Sequence, residues 1–418
     1  MWDLFGSALT GFTIGYPFVM AWYWMSGGIL HRIIRGRHEP LPSEPPRLTS
    51  YPPVSILVPC HNEGSNVREV FAALDAVDYP DFEMIAINDG SRDDTGTILD
   101  ELAGQYERLR IVHLATNRGK ALALNAGAIA ARHEILVGID GDALLDRDAV
   151  TWLVRRFLSD GTLGALTGNP RLRNRSSLLA KLQVGEYSAI VGLIKRAQTL
   201  FGCVFTVSGV VCAFRKRALH EAGWWSPATL TDDVDMTWRI QIAGWTVAYE
   251  PKALCWILMP ETLRGLWRQR LRWSEGGTQT VIRLVPHMFH RRLWRLWIVW
   301  FSYALSVLWA YAVLAGFVIW CVQVLWLAPS VGEAILSRAP QGRGAVMTVT
   351  YLLQASVSLS LDQRFERRML QAIFWQPWYP LFFWVLQALT AIVGVPRAIR
   401  RLMGTSTGTW VSPDRGVR

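Results

Sequence analysis

Both ends of the chain are too apolar to face water. Leu4–Met25 carries no charged residue and, at ~1.5 Å rise per residue, is long enough to cross a bilayer. Three more apolar segments follow residue 293: Trp294–Leu327, Ala345–Leu361, which is the shortest, and Ile373–Val395, which contains Pro377 and Pro380. A chain that is 51% hydrophobic with 21 tryptophans thus divides into membrane ends and a water-facing middle. A cleaved signal peptide is the competing reading of the N-terminus. It is disfavoured because only Asp3 precedes the apolar run and no small-residue cleavage site follows it.

His31, Arg32, Arg35 and Arg37 come directly after the first segment, which puts the middle in the cytoplasm and the N-terminus outside. Three crossings after a cytoplasmic domain would leave Arg397, Arg400, Arg401 and Arg415 outside, against the same rule. Either one segment does not cross or the tail breaks the rule. The net charge of +10 lies largely beside apolar segments, at Arg291, Arg292, Arg295, Arg364, Arg367 and Arg368 as well as the tail. Anionic headgroups and topology account for it, which argues against nucleic acid. The five cysteines lack C-x-x-C spacing and read as reduced and packed.

The middle reads as parallel βαβ units. After a proline-rich linker at 38–53 come strands at Val54–Pro59, Phe82–Ile87, Leu109–Leu114 and Ile135–Ile139, separated by helical stretches. Each strand empties into polar residues: Glu63, Asn88-Asp89-Gly90, Gly119-Lys120 and Asp140-Gly141-Asp142. In a parallel sheet those ends share one edge, where open α/β sheets bind ligands. Asp140 and Asp142, two apart on extended backbone, point the same way, and Gly141 lets a ligand come close. Such a pair suits Mg²⁺ or Mn²⁺ bridging a diphosphate; a polar turn is the plain alternative. Glu63 and Asp89 can accept from ribose hydroxyls or a base N–H. Lys120 is either a phosphate ligand or a solvated lysine at a helix start. Farther on, Thr231-Asp232-Asp233 is either a capped helix start or the site of a general base. Thr262–Trp273 is a basic amphipathic helix that suits a membrane surface; within it Trp273 offers a face for a sugar ring, and Gln269 and Arg272 can reach an anionic leaving group.

Asp89, Asp140-Gly-Asp142, Thr231-Asp-Asp233 and Gln269-x-x-Arg-Trp273, in this order, resemble the motifs of the processive family 2 glycosyltransferases, which include cellulose, chitin and hyaluronan synthases. Within that family the likeness is to poly-β-1,6-N-acetylglucosamine synthases of bacterial biofilm, on the runs Ile139–Asp148, Gly168–Arg171, Gly192–Arg196, Phe205–Gly209, Leu254–Leu263 and Trp410–Gly416. The resemblance implies an α/β nucleotide-diphospho-sugar transferase domain of the GT-A type with a mostly parallel sheet, flanked by transmembrane and interfacial helices. It implies inverting transfer from UDP-N-acetylglucosamine to a growing polysaccharide, with Glu63, Asp89, Lys120, Asp140, Gln269 and Arg272 at the donor. Asp142 with Asp140 would hold Mg²⁺ or Mn²⁺, Asp233 would be the base, and Trp273 and Asp232 would meet the acceptor. It also implies the bacterial inner membrane, a small two-helix membrane subunit and activation by cyclic di-GMP through that partner. Two departures stand out: Asp232 replaces the family's usual Glu, and one N-terminal span is found where the relatives carry two.

The expected organisation is a membrane helix and basic flank at 1–37, the linker at 38–53, the transferase domain at 54–260, an interfacial segment at 261–293, membrane spans at 294–396 and a basic tail at 397–418. Export of the polymer beside the site is a further expectation. A lipid-directed, non-processive transferase and an inactive transferase domain are the competing readings. Retention of Asp89, Asp140, Asp142 and Asp233 speaks against the last.

Overall fold

The computed structural model describes residues 2–36, 40–326, 343–366 and 369–404. Arg37, Arg367, Arg368, Arg415 and the Trp410–Gly416 run, all used above, lie outside the described residues. The first helix, α1 (Trp2–Arg35), leads to the linker, which is pinned to the domain where Trp152 Nε1 donates to the Pro42 carbonyl at 2.7 Å.

The domain begins with β1 (Val54–Cys60), α2 (Val67–Asp75), β2 (Phe82–Asp89), α3 (Thr95–Ala103), β3 (Leu109–Leu114), α4 (Lys120–Ala130) and β4 (Ile135–Ile139). Every residue of β1, β2 and β4 is buried, as expected of strands covered on both faces. The second half contributes β5 (Leu144–Leu145), α5 (Ala149–Ser159), β6 (Leu163–Leu172), α6 (Leu178–Tyr187), a π-helical turn at Ser188–Ile194, α7 (Lys195–Leu200), β7 (Val211–Arg215), α8 (Lys216–Glu221), α9 (Asp232–Ile242) and β8 (Thr246–Ile257). All eight strands form one sheet in the order β3-β2-β1-β4-β7-β6-β8-β5. Strands β3, β2, β1 and β4 run parallel, as the sequence pattern predicts. Strand β7 then enters antiparallel to both β4 and β6.

The long amphipathic helix α10 (Leu263–Leu284) follows, with the Thr262 hydroxyl accepting from Gly265 N at 3.1 Å as a side-chain cap. The chain ends in α11 (Trp294–Trp326), α12 (Arg343–Asp362) and α13 (Val385–Met403). Among the described residues, Arg291–Val322, Gly344–Asp362 and Phe382–Met403 are long and apolar enough to cross a membrane. The segment Ile373–Val395 is not one continuous α-helix. Met369–Trp378 winds as a 3₁₀ helix and Pro380–Trp384 as a π turn before α13 begins, because Pro377 and Pro380 lack the N–H that an α-helical ladder requires.

One buried acid fastens these helices to the domain. Asp362, fully buried at the end of α12, sits 3.0 Å from Arg171 Nη2 on β6 and 2.9 Å from Arg196 Nη1 on α7, and it accepts from Ser188 Oγ at 2.7 Å. The Gly168–Arg171 and Gly192–Arg196 runs thus converge on an apolar helix far away in sequence. The Asp362→Asn variant leaves two buried guanidinium groups without a counter-charge and is expected to lose roughly 3–5 kcal/mol of stability. The check is thermal unfolding of the detergent-solubilised protein; an unchanged midpoint would contradict the role of this clamp.

Candidate active site at the carboxyl edge of the sheet

The register of β1, β2 and β4 brings their exits together, with Cys60 opposite Asn88 and Leu57 opposite Gly138. Glu63 and Asp89 are buried here. The Glu63 carboxylate accepts from Asn66 Nδ2 at 2.8 Å, and its backbone N donates to Thr95 Oγ1 at 2.8 Å. Asp89 accepts from the backbone N of Arg118 and of Gly119, each at 2.8 Å, so its carboxylate organises the loop that delivers Lys120. Gly90 has φ of +59°, and a Cβ there would come within 2.5 Å of Asn117 N; only glycine lets the two loops touch.

Lys120 does not reach freely toward solvent. Its ammonium donates to Asp140 Oδ1 at 2.5 Å and to the Gly209 carbonyl at 3.1 Å, with 14% of the side chain exposed. Burial by itself would lower its pKa; Asp140 and then Asp232 outweigh that and hold it above the usual lysine value. Asp142 is buried beside Asp140. A Cβ on Gly141 would lie 3.1 Å from the Pro59 carbonyl and 3.3 Å from Glu63 Cγ, so the backbone between the two acids packs tightly against the exit of β1. Among the described residues no three His, Cys, Asp or Glu side chains cluster as a metal site. The protein therefore offers two carboxylates, a hard-oxygen donor set that fits Mg²⁺ or Mn²⁺ with water and substrate phosphate completing the shell.

The Asp232-Asp233 pair faces this edge from the first turn of α9. Thr231 occupies the capping position, yet its hydroxyl makes no capping bond and is buried without a partner. Its place is set by α10 instead. A Cβ on Gly276 would lie 2.8 Å from Thr231 N, and Gln279 Oε1 accepts from Leu230 N at 3.1 Å. Asp235, the third acid, is committed to Arg239 at 2.7 Å and Arg283 at 3.5 Å. Asp233 Oδ1 accepts from Val234 N at 2.9 Å. A Cβ on Gly209 would stand 3.3 Å from both Asp233 Oδ2 and Lys120 Nζ, so the 207–209 loop separates the two groups by little more than a methyl. A small cavity opens where Lys120, Gly209, Asp232 and Asp233 meet, backed by Leu124, Val207 and Trp225. Burial, then Asp232, push the Asp233 carboxyl above the usual range, while Lys120 and Arg272 oppose that rise.

The structure therefore brings Lys120, Asp232 and Asp233 to one cavity, ties Asp140 to it through Lys120, and buries Asp142, Glu63 and Asp89 nearby at the same strand exits. Gln269, Arg272 and Trp273 ride on α10, which also braces Thr231. Gln269 Oε1 is buried without a hydrogen-bond partner, and Arg270 Cζ lies 4.0 Å from the Trp273 ring centre. Sequence reasoning missed Gly209, Gln279 and Arg270. The first lies in the Phe205–Gly209 run noted for its resemblance, whereas nothing local distinguishes Gln279.

Residues 52–276 match the model of glycosyltransferase like family 2. The chain belongs to this family. It is 36% identical over 414 residues to a poly-β-1,6-N-acetyl-D-glucosamine synthase of Staphylococcus epidermidis, covering 97% of this chain and 98% of that protein. It is 35% identical over 406 residues to the protein of the same name from Staphylococcus aureus, again covering 97% and 98%. This family 2 transferase also shares its fold with a mannosyltransferase of Pyrobaculum calidifontis solved with GDP-Man and Mn²⁺, at a TM-score of 0.66, 19% identity and coverage of 96% of this chain and 99% of that one. The GT-A-like, mostly parallel sheet and the apolar helices after it agree with the sequence expectation.

Two consequences of the buried acid can be measured. In the folded protein Asp233 binds its proton more tightly than in the unfolded chain, so its ionisation costs stability once the pH rises through the unfolded value and beyond. At neutral pH the Asp233→Asn variant is expected to unfold at a higher temperature than the native protein, a gain of order 1 kcal/mol, as replacing strained functional groups commonly yields. A lower midpoint would contradict the burial argument. Because Lys120 holds the Asp233 pKa down, Lys120→Met is expected to move the acid limb of turnover to higher pH, as read from a rate profile.

Proposed function

We propose that this transferase polymerises N-acetylglucosamine from UDP-N-acetylglucosamine into a β-1,6-linked polysaccharide, by inverting transfer at a membrane. The observation that carries the reading is the near-full-length identity to two synthases of that name, 36% over 97% of the chain for the first. The site chemistry supports it independently.

Inversion at an anomeric carbon requires the acceptor hydroxyl to attack from the face opposite the leaving diphosphate and to lose its proton as the new bond forms. Asp233 is the proposed base. The raised pKa that burial gives its carboxyl makes it a better proton acceptor than an exposed aspartate once ionised. The proton passes from the acceptor oxygen to the Asp233 carboxylate, the acceptor oxygen bonds to C1, and the C1–O bond to UDP breaks with its electron pair leaving on the phosphate. Asp232 lies on the acceptor side of the same turn. Asp140 and Asp142 would hold Mg²⁺ or Mn²⁺, which supplies charge neutralisation for the departing diphosphate. Lys120, Arg272 and Gln269 add cationic and hydrogen-bonding groups on the donor side, and Glu63 and Asp89 shape the nucleoside end. Trp273 offers its ring to the acceptor sugar.

A bacterial inner-membrane location with a cytoplasmic catalytic domain is part of the same proposal, supported by the basic flank of α1 and by the cytoplasmic supply of nucleotide sugars. Export of the product along α11–α13, a two-helix membrane subunit and cyclic di-GMP control acting through it belong to the same proposal. Membranes containing the full chain, given labelled UDP-N-acetylglucosamine and Mg²⁺ or Mn²⁺, with a partner and cyclic di-GMP supplied where required, are expected to make high-mass product that a β-1,6-N-acetylglucosaminidase degrades. Asp142→Asn and Asp233→Asn should each lose at least about 100-fold of that incorporation. A polymer resistant to digestion would retain the transfer chemistry and remove the linkage; label in lipid alone would favour a single-sugar glycolipid transferase.

A further inference from the structure

The family motif on α10 leaves Arg270 without a role, yet the structure gives it the most buried charge on that helix. Arg270 Nη2 pairs with Glu186 Oε2 at 2.6 Å, with 4% of the arginine side chain and none of the glutamate exposed. Its guanidinium carbon also lies 4.0 Å from the centre of the Trp273 ring, one turn along the same helix. Glu186 comes from the end of α6, 84 residues earlier in the chain. That helix is tied a second time to the start of α10, where Gln183 Nε2 donates to the Pro260 carbonyl at 2.9 Å.

Stability is a weak reason for such a pair. Two apolar side chains of similar volume commonly serve a fold as well as a buried ion pair, because both charges must be stripped of water. Here the cost is also incompletely offset within the protein: Gln387 of α13 shares the Glu186 carboxylate with Arg270, but Arg270 Nε and Nη1 are buried without hydrogen-bond partners. Burial raises the Glu186 pKa, with Arg270 opposing the rise. What the pair does supply is geometry. An indole ring turns about two side-chain bonds, and a sugar stacks on it productively only if the ring is held at one angle. A guanidinium fixed from behind by a buried carboxylate, lying over the ring of a partly exposed tryptophan, provides that restraint.

We propose that Glu186 and Arg270 are positioning residues that lock the Trp273 ring as the platform for the acceptor sugar. The inference rests on the acceptor role given to Trp273 above. Neither residue is proposed to touch substrate; both act through the ring.

The test uses the full chain in membranes, with UDP-N-acetylglucosamine as donor and a short β-1,6-linked N-acetylglucosamine oligosaccharide as acceptor. Glu186→Gln is expected to raise the acceptor KM about tenfold and to shorten the product, while the donor KM and the slow hydrolysis of donor by water stay within about twofold. Because removal of one charge can impair folding, the paired variant Glu186→Met with Arg270→Met removes both charges together and is expected to show the same acceptor defect. Combining Glu186→Gln with Trp273→Ala should be no worse than Trp273→Ala alone, since residues acting through one ring are not additive. Additive losses, or donor and acceptor KM rising together, would overturn the positioning role and leave the Trp273 platform standing. An acceptor KM unmoved by Trp273→Ala itself would remove the platform, and with it this inference.

Discussion

One buried ammonium joins the parts of the site. Lys120 Nζ lies between the Asp140 carboxylate at the end of β4 and the Gly209 carbonyl of the loop entering β7, and Asp233 faces the same open side of that glycine. The carboxylates at 140, 232 and 233 would repel one another in a desolvated cleft, and Lys120, helped at Asp233 by Arg272, offsets that repulsion. It also ties the parallel half of the sheet to the antiparallel insertion. The sheet supplies the Asp140-Asp142 exit, and α9 and the 207–209 loop supply the Asp232-Asp233 exit. The lysine fixes their separation.

Helix α10 carries the same logic into the membrane part. On one side Gly276 and Gln279 set the backbone of Leu230 and Thr231; on another, Gly394 of α13 packs against Ser274. Arg401 of α13 pairs with Glu275 between those contacts. Helix α10 thus touches both the segment that opens α9 and the apolar helix α13. Asp362, held by Arg171 and Arg196, makes the corresponding connection on the other side of the domain.

Strands β1, β2 and β4 were legible because parallel strands covered on both faces read as largely apolar runs; β3, mostly half-buried at the sheet edge, was legible from its alternation with helical stretches, and the observed bounds of β3 and β4 coincide with the runs read from sequence. The strand-end acids were legible because topology alone carries them to one edge. Their partners were not. Nothing near Lys120 announces that its ammonium pairs with Asp140, and nothing near Thr231 shows that α10 packs against it while its hydroxyl makes no capping bond. Glu186 and Arg270, Arg171 and Asp362 are pairs made by tertiary packing across long stretches of chain. Composition marks such residues only as charges in unusual places. The Pro377–Pro380 break was visible as two prolines within an apolar run, but length and hydropathy outweighed it in the sequence reading; the missing N–H groups decide it in the structure.

The central proposal is that the chain transfers N-acetylglucosamine by a single inverting displacement with Asp233 as the base. The configuration of the new bond tests this most directly. UDP-N-acetylglucosamine labelled with ¹³C at the anomeric carbon would be transferred by the full chain to an unlabelled β-1,6-linked oligosaccharide, and the product read by NMR. The account predicts a β-configured label joined to the oxygen at position 6 of the acceptor sugar. An α-configured label would mean retention, and would contradict a single displacement with Asp233 as its base.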